Sequence, residues 1–301
     1  MQKTLISIIG STGIGKTKLA IEMAKHFGTE IISCDSRQFF KEMKIGTATP
    51  TDEELAQAKH HFIGHLSVQD YYSIGQYEED ALEKIEEIFE KNDFAVLVGG
   101  SMMYEKAVVE GLNDLPEANA ENQEKLQKIL DEEGLEKLQE ILKNLDEEYY
   151  NVVHKENPRR LLRAIDVIWQ TGRKYSEIIA EPKHKRDFKV IRIGITAPRE
   201  IMYERINLRV DKMLENGLID EVKSLTEYQK LVPLQTVGYT EIFKYLEGNW
   251  DLDFAIEEIK KNSRRYAKRQ ETWNRKVENV TWLPYDYSEE QLHEILSKIE
   301  K

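Results

Sequence analysis

Apolar positions near the start of the chain come in short continuous runs divided by stretches of helical spacing. Thr4 to Ile9, apolar apart from Thr4 and Ser7, reads as a strand, Gly10 to Gly15 as a glycine-rich turn, and Lys16 to Phe27 as a helix. A second strand, Glu30 to Ser33, ends at Asp35. Helical spacing at Ala81, Leu82, Ile85, Ile88 and Phe89 then leads into the unbroken apolar run Phe94 to Val98. A strand apolar on both faces belongs to a parallel sheet covered by helices on each side.

From about Pro116 to Asp187 the pattern changes. Leu126, Ile129, Leu135, Leu138, Ile141 and Leu142 recur at helical spacing among many charges, and no strand pattern interrupts them. A strand returns at Val190 to Thr196, and a helix follows from Pro198 to about Leu214, where Asn216-Gly217 supplies a stop. A further helix is predicted from about Asp253 to Lys276, with a short edge strand at Val280 to Leu283. The expected organisation is a core of residues 1–115 and 188–301 carrying a helical insertion at 116–187.

Composition narrows the class. The 301 residues are 40% apolar and 33% charged, the balance of a folded, soluble chain. No apolar run approaches the length that spans a bilayer, so no membrane partner is expected. Residues 1–10 pass directly into a strand without a signal-peptide pattern, and the one cysteine, Cys34, has no disulfide partner, so a cytosolic location is expected. Cys34 is expected to be a buried strand residue. The net charge of −12 opposes nucleic-acid binding, but the basic residues are gathered. Lys260 to Lys276 holds eight basic residues against a single acid, Glu271.

Candidate chemistry starts at Gly10-Ser11-Thr12-Gly13-Ile14-Gly15-Lys16-Thr17, which fits G-x-x-x-x-G-K-[ST] between a predicted strand and a predicted helix. Backbone N–H groups freed by the glycines converge on phosphate oxygens, Lys16 neutralises a terminal phosphate, and the Thr17 hydroxyl can bind Mg²⁺. The predicted fold class is therefore α/β, a P-loop parallel-sheet core with a mostly helical insertion. Nucleotide triphosphatases place an aspartate after a later apolar strand to hold Mg²⁺. Here that strand ends Val98-Gly99-Gly100-Ser101, without a carboxylate. No Asn-Lys-x-Asp guanine motif is present either. Asp35 falls just past a strand end, where ligands bind in open α/β sheets, followed by the polar trio Ser36-Arg37-Gln38.

With these residues in place the chain resembles the tRNA dimethylallyltransferases, also called tRNA isopentenyltransferases. The resemblance runs through the P-loop, Asp35 to Gln38, Ile45-Gly46-Thr47-Ala48, His60-His61, Gly99 to Tyr104, Asn157 to Ala164, Arg205 to Val222, Val237-Gly238-Tyr239 and Arg264 to Trp273. It implies transfer of a dimethylallyl group from its diphosphate to N6 of the adenosine 3′-adjacent to the anticodon in tRNA, releasing pyrophosphate. The P-loop would then hold a prenyl diphosphate, and cleavage between carbon and oxygen explains why no aspartate serves a transferring phosphoryl group. By resemblance Asp35 is the general base, Ser101 orients the amine, and Lys16, Arg209 and Mg²⁺ on Thr17 neutralise the leaving pyrophosphate. The same resemblance assigns tRNA contacts to Asp35, Ser36, Arg37, Gln38, Ser101, Arg159, Arg160, Leu161, Leu162 and Arg163.

The remaining features are read plainly. In the basic helix Arg265 and Arg269 share a face, and Tyr266 and Trp273, seven residues apart, are expected in the core. His60, His61 and His65 make no complete zinc set, and Met102 and Met103 are expected in a pocket wall. No feature calls for a second copy, so a monomer is expected. The competing reading is a P-loop kinase of a nucleoside or small metabolite, with Asp35 as base toward a hydroxyl.

Overall fold

A computed structural model of the chain describes residues 2–300. Residues up to Val109 together with those from Arg186 onward form one compact unit, and Glu110–Lys185 form a second.

The first unit is built on a six-stranded parallel sheet. Its strands are β1 (Thr4–Gly10), β2 (Ile31–Ser33), β3 (His60–His61), β4 (Phe94–Val98), β5 (Lys189–Thr196) and β6 (Val280–Pro284), in the spatial order β3-β2-β4-β1-β5-β6. β1 and β4 are buried at every residue, as their continuous apolar sequences require in a sheet covered on both faces. Alternation along the strands feeds two cores. Leu5, Ile32, Ala95 and Leu97 point to one, and Ile6, Ile8, Ile31, Val96 and Val98 to the other.

Helices cover the two faces: α1 (Lys16–Phe27), α2 (Asp52–Leu55), α3 (Ile74–Phe89) and α4 (Met102–Glu110) precede the second unit. Within the second unit lie α5 (Ala120–Glu133), α6 (Leu135–Leu145), α7 (Glu147–Val152), α8 (Pro158–Thr171) and α9 (Tyr175–Ile179). α10 (Arg199–Glu215), α11 (Leu218–Ser224), α12 (Tyr239–Leu246), α13 (Leu252–Asn274) and α14 (Glu289–Ile299) complete the chain. The second unit has its own core, in which Leu126, Leu138, Leu142, Leu161 and Ile165 are fully buried. Asp166 is buried with them and is satisfied by Asn122, Arg163 and Gln170.

Observed and expected elements differ at ends and edges. The edge strand expected at Val280 to Leu283 is β6, one residue longer. β3 was not expected, because His60 and His61 carry no apolar signal; backbone pairing with Ile31 and Ile32 alone makes them a strand. Cys34 lies one residue past β2 and is buried, and burial, with Glu105 and Asp35 nearby, pushes its thiol well up, which leaves it inert.

Register positions the site. Ser33 and Ile8 both lie level with Val98, so the segments leaving β2, β4 and β1 emerge side by side at one edge of the sheet. These are Cys34-Asp35, Gly99-Gly100-Ser101 and the glycine-rich loop. Side chains of helix α13 bond to two of them, the glycine-rich loop and Gly100.

Candidate active site

The phosphate cradle starts where β1 ends. Gly13 (φ 75°) and Gly15 (φ 112°) take the left-handed backbone that lets the loop curl into the first turn of α1. Lys16 folds back so that its Nζ donates to the Ser11 carbonyl at 2.9 Å. Two other helices hold the loop from outside: Arg205 of α10 donates to the Gly13 carbonyl at 2.9 Å, and Gln270 of α13 accepts from the Thr12 N–H at 2.8 Å. Protein packed around the Lys16 ammonium lowers its pKa to about 8; the nearby Asp35 carboxylate opposes that shift and Arg209 adds to it.

Asp35 turns on itself. Its Oδ1 accepts from the Arg37 N–H at 3.2 Å, an Asx-turn that fixes the carboxylate. Oδ2 faces the segment after β4, so close that a Cβ on Gly100 would lie 2.8 Å from it. Gly99 is equally constrained, since its Cβ would lie 2.6 Å from the Asp35 nitrogen. The two glycines after β4 therefore make room for Asp35. Ser101 then links to the neighbouring segment, its Oγ accepting from the Ser36 N–H at 3.0 Å and pairing with Ser36 Oγ at 2.9 Å.

Arg209 lies one turn beyond Arg205 on the same side of α10. Its Nη2 donates to the Thr47 carbonyl at 3.0 Å, and desolvation lowers its pKa while Asp35 works against that shift. The Thr47 segment is itself fixed. Glu221 of α11 accepts from the Ile45 and Gly46 N–H groups at 2.8 and 2.9 Å and from the Tyr239 hydroxyl at 2.6 Å. Gly46 is required there, because a Cβ would sit 2.5 Å from the Tyr239 ring.

Thr12 of the phosphate loop, Asp35, Gly46, Thr47, Ser101 and Arg209 border a cavity of about 540 Å³. Asp35, Ser101, Arg209 and Tyr266 line its polar part, and Ile206, Val210, Met213, Val237 and Ile259 form an aliphatic wall. The Tyr266 hydroxyl donates to the Gly100 carbonyl at 2.9 Å; burial and the nearby Asp35 push its pKa up and keep it a neutral donor.

A family model described as IPP transferase matches residues 38–277. The chain belongs to the IPP transferase family. It is 50% identical over 300 residues to the tRNA dimethylallyltransferase of Christiangramia forsetii, with 99% of each chain covered. Among solved structures it is similar to the full-length tRNA isopentenylpyrophosphate transferase of Bacillus halodurans, at 36% identity and a TM-score of 0.73, covering 99% of this chain and 96% of that one. It is also similar to a eukaryotic dimethylallyltransferase acting on tRNA, at 27% identity and a TM-score of 0.85, covering 99% of this chain and 78% of that one.

In this IPP transferase family member Gly10 to Thr17, Asp35, Ser36, Ser101 and Arg209 gather at one end of the sheet. Arg37 lies beside them, its guanidinium reaching the Val232 carbonyl at 3.4 Å. Gln38 spends its carboxamide on the Thr47 and Ala48 carbonyls, at 3.3 and 3.2 Å. Arg159 and Arg160 are exposed in the first turn of α8. Leu161 and Leu162 are instead buried in the core of the helical unit, which leaves those two side chains no surface for RNA. Arg163 pairs with Asp166 at 3.2 Å and also reaches the Pro116 carbonyl.

Three expectations about neighbouring residues change. Tyr266 lines the cavity and Trp273 lies half-exposed beside Lys106, so neither belongs to the core. Met103, the second residue of α4, is 48% exposed, and neither it nor Met102 lines the cavity. Among the described residues no cluster of three His, Cys, Asp or Glu is placed to hold a metal ion, and His61 pairs with Glu30 at 2.6 Å. Arg205, Glu221 and Gln270 were not singled out by sequence. All three lie in segments that carry the family resemblance, and Arg205 has in addition its four-residue spacing from Arg209.

Proposed function

We propose that the chain transfers the dimethylallyl group of dimethylallyl diphosphate to N6 of the adenosine immediately 3′ of the anticodon in tRNA, releasing pyrophosphate. The observation that carries this reading is the joining, in one cavity, of the Asp35 carboxylate and the Arg209 guanidinium with an aliphatic wall. Phosphate transfer to a hydroxyl has no use for Ile206, Val210, Met213, Val237 and Ile259. A branched five-carbon group does, since burying each methylene contributes about 0.8 kcal/mol.

The diphosphate is held by the N–H groups at the start of α1 and by Lys16. Arg209, which lines the cavity, neutralises charge as the bond between C1 and its diphosphate oxygen breaks. Adenine's exocyclic amine is a weak nucleophile because its lone pair is delocalised, so its proton must leave as the N6–C1 bond forms. With Oδ1 of Asp35 already accepting from Arg37, Oδ2 is the oxygen that takes this proton. Ser101 has capacity for the second N6–H. If its hydroxyl donates to Ser36 Oγ, one lone pair accepts the Ser36 N–H and the other is open to the amine. The base must leave the anticodon-loop stack to reach this corner, which costs less in an unpaired loop than in a duplex.

The donors present suit a Mg²⁺ carried by the diphosphate better than a resident ion. Thr17 can offer one hydroxyl oxygen and, among the described residues, no acid cluster adds to it, whereas Mg²⁺ bound with substrate phosphates keeps several waters and asks for few protein ligands. So bound, it would supply further charge neutralisation to the leaving pyrophosphate. Contacts to tRNA are proposed for Ser36, Arg37, Arg159 and Arg160.

The test is direct. The protein is incubated with unmodified tRNA and either dimethylallyl diphosphate or ATP, the tRNA is digested, and the nucleosides are weighed. The added mass of one dimethylallyl group on adenosine is expected. ATP consumption without a prenylated base would favour a kinase instead.

A further inference from the structure

The proposed reaction needs two things a fixed distance apart: a base where the amine proton departs and a cradle where pyrophosphate departs. They stand on different segments. The cradle follows β1, while Asp35 follows β2 and rests against Gly100 after β4. We infer that Gln270 is a positioning residue that sets the spacing between them.

The geometry is specific. Gln270 is 1% exposed, in the middle of an otherwise basic stretch of α13. Its Oε1 accepts from the Thr12 N–H at 2.8 Å, and its Nε2 donates to the Gly100 carbonyl at 2.8 Å. One carboxamide thus bridges the phosphate loop and the segment that abuts the base. A Cβ on Gly100 would meet Asp35 Oδ2 at 2.8 Å and Gln270 Nε2 at 3.2 Å, so carboxylate, glycine and carboxamide share one corner. Tyr266, one turn earlier on α13, donates to the same carbonyl at 2.9 Å. The helix is anchored in turn, with Arg264 donating to Asn207 of α10 at 2.7 Å. Because the Thr12 N–H points at Gln270, it is not among the donors that reach the diphosphate.

That last point separates positioning from binding. Loss of the bridge leaves the diphosphate contacts in place but lets the base drift from the reacting carbon, and a misplacement of about 1 Å can cost about a hundredfold in rate. The inference rests on the prenyl-transfer reading, so wild-type protein is run in every assay. Failure of wild type to prenylate tRNA sinks that reading, while an active wild type isolates the question of Gln270.

Two variants are compared with wild type. Gln270→Leu removes both hydrogen bonds at similar volume, and Gln270→Glu keeps the acceptor for Thr12 while losing the donor to Gly100 at neutral pH. Saturated kcat for tRNA prenylation and Kd for dimethylallyl thiodiphosphate are measured, with Tm as a check on folding. In each variant that folds, kcat should fall about thirtyfold or more while Kd stays within about threefold. If Gln270→Leu does not fold, Gln270→Glu decides alone. A near-normal kcat in a folded variant overturns the inference, and so does a loss confined to Kd, since either would make Gln270 a support for the loop only.

Discussion

Two sets of arginines in this chain sit in opposite environments. Arg209, at the sheet-end cavity, is desolvated and bonded to a backbone carbonyl that Glu221 in turn helps to fix. Arg159 and Arg160, in the helical unit, stand exposed at the start of α8. A charge that must meet developing charge at one point benefits from being immobile before the reaction, because no reorganisation is then needed. A charge that meets a flexible polyanion gains from reach and solvation, and its contribution is spread over several phosphates. The same residue type therefore serves two purposes, and burial tells them apart.

The largest effect expected to test this contrast belongs to Asp35. Asp35→Ala should lower kcat by about 10² to 10⁴, the usual range for a general base, while Kd for dimethylallyl thiodiphosphate at pH 7 stays within about threefold. Single-turnover prenylation and equilibrium binding measure the two quantities. A variant of near-normal rate would remove Asp35 from the mechanism and with it the idea of a fixed base.

Next comes the division of labour inside α8. Leu161→Ala should destabilise the protein by about 2–5 kcal/mol, the usual cost of a buried leucine, because Leu161 is fully buried beside Leu138 and Ile165. Denaturant unfolding measures this, and a loss below about 1 kcal/mol would return Leu161 to the surface. Replacing Arg159 and Arg160 together by alanine should instead leave stability within about 0.5 kcal/mol. It should weaken tRNA binding about tenfold and reduce the salt slope by about two. Binding measured at several salt concentrations checks this, and an unchanged slope would mean that these arginines meet no phosphate.

How far each region could be read from sequence follows from how local its signals are. The cradle is eight consecutive residues with their own turn and helix start, and Asp35 is found by following one strand to its end. The parallel sheet announces itself in apolar runs. What stays hidden depends on distance along the chain. Gln270 meets Thr12 across 258 residues and Glu221 meets Gly46 across 175. Their sequence neighbourhoods look like charged helix surface. In α8 the arginines and leucines follow one another within a single turn, so helical geometry, rather than composition, separates Arg159 and Arg160 from Leu161 and Leu162.

The smallest effect is also the one that sets the two environments side by side in one experiment. Protein around Lys16 disfavours its charged form and brings its pKa to about 8. A bound diphosphate supplies the anion that favours charged Lys16, so the ligand binds best when the lysine is already protonated. Affinity is therefore full below pH 8 and declines as pH rises through it, with a proton taken up on binding above that point. Between pH 7 and pH 9 the protonated fraction falls about tenfold for a pKa of about 8, and Kd for dimethylallyl thiodiphosphate should rise by about that factor. The affinity for tRNA, carried in this reading by arginines, should change by less than about twofold over the same range. Titration calorimetry in buffers of different ionisation enthalpy measures both the affinity and the proton uptake. A diphosphate affinity flat across pH 8 would show that burial does not bring Lys16 into that range, and the contrast between buried and exposed cations would not extend to the cradle.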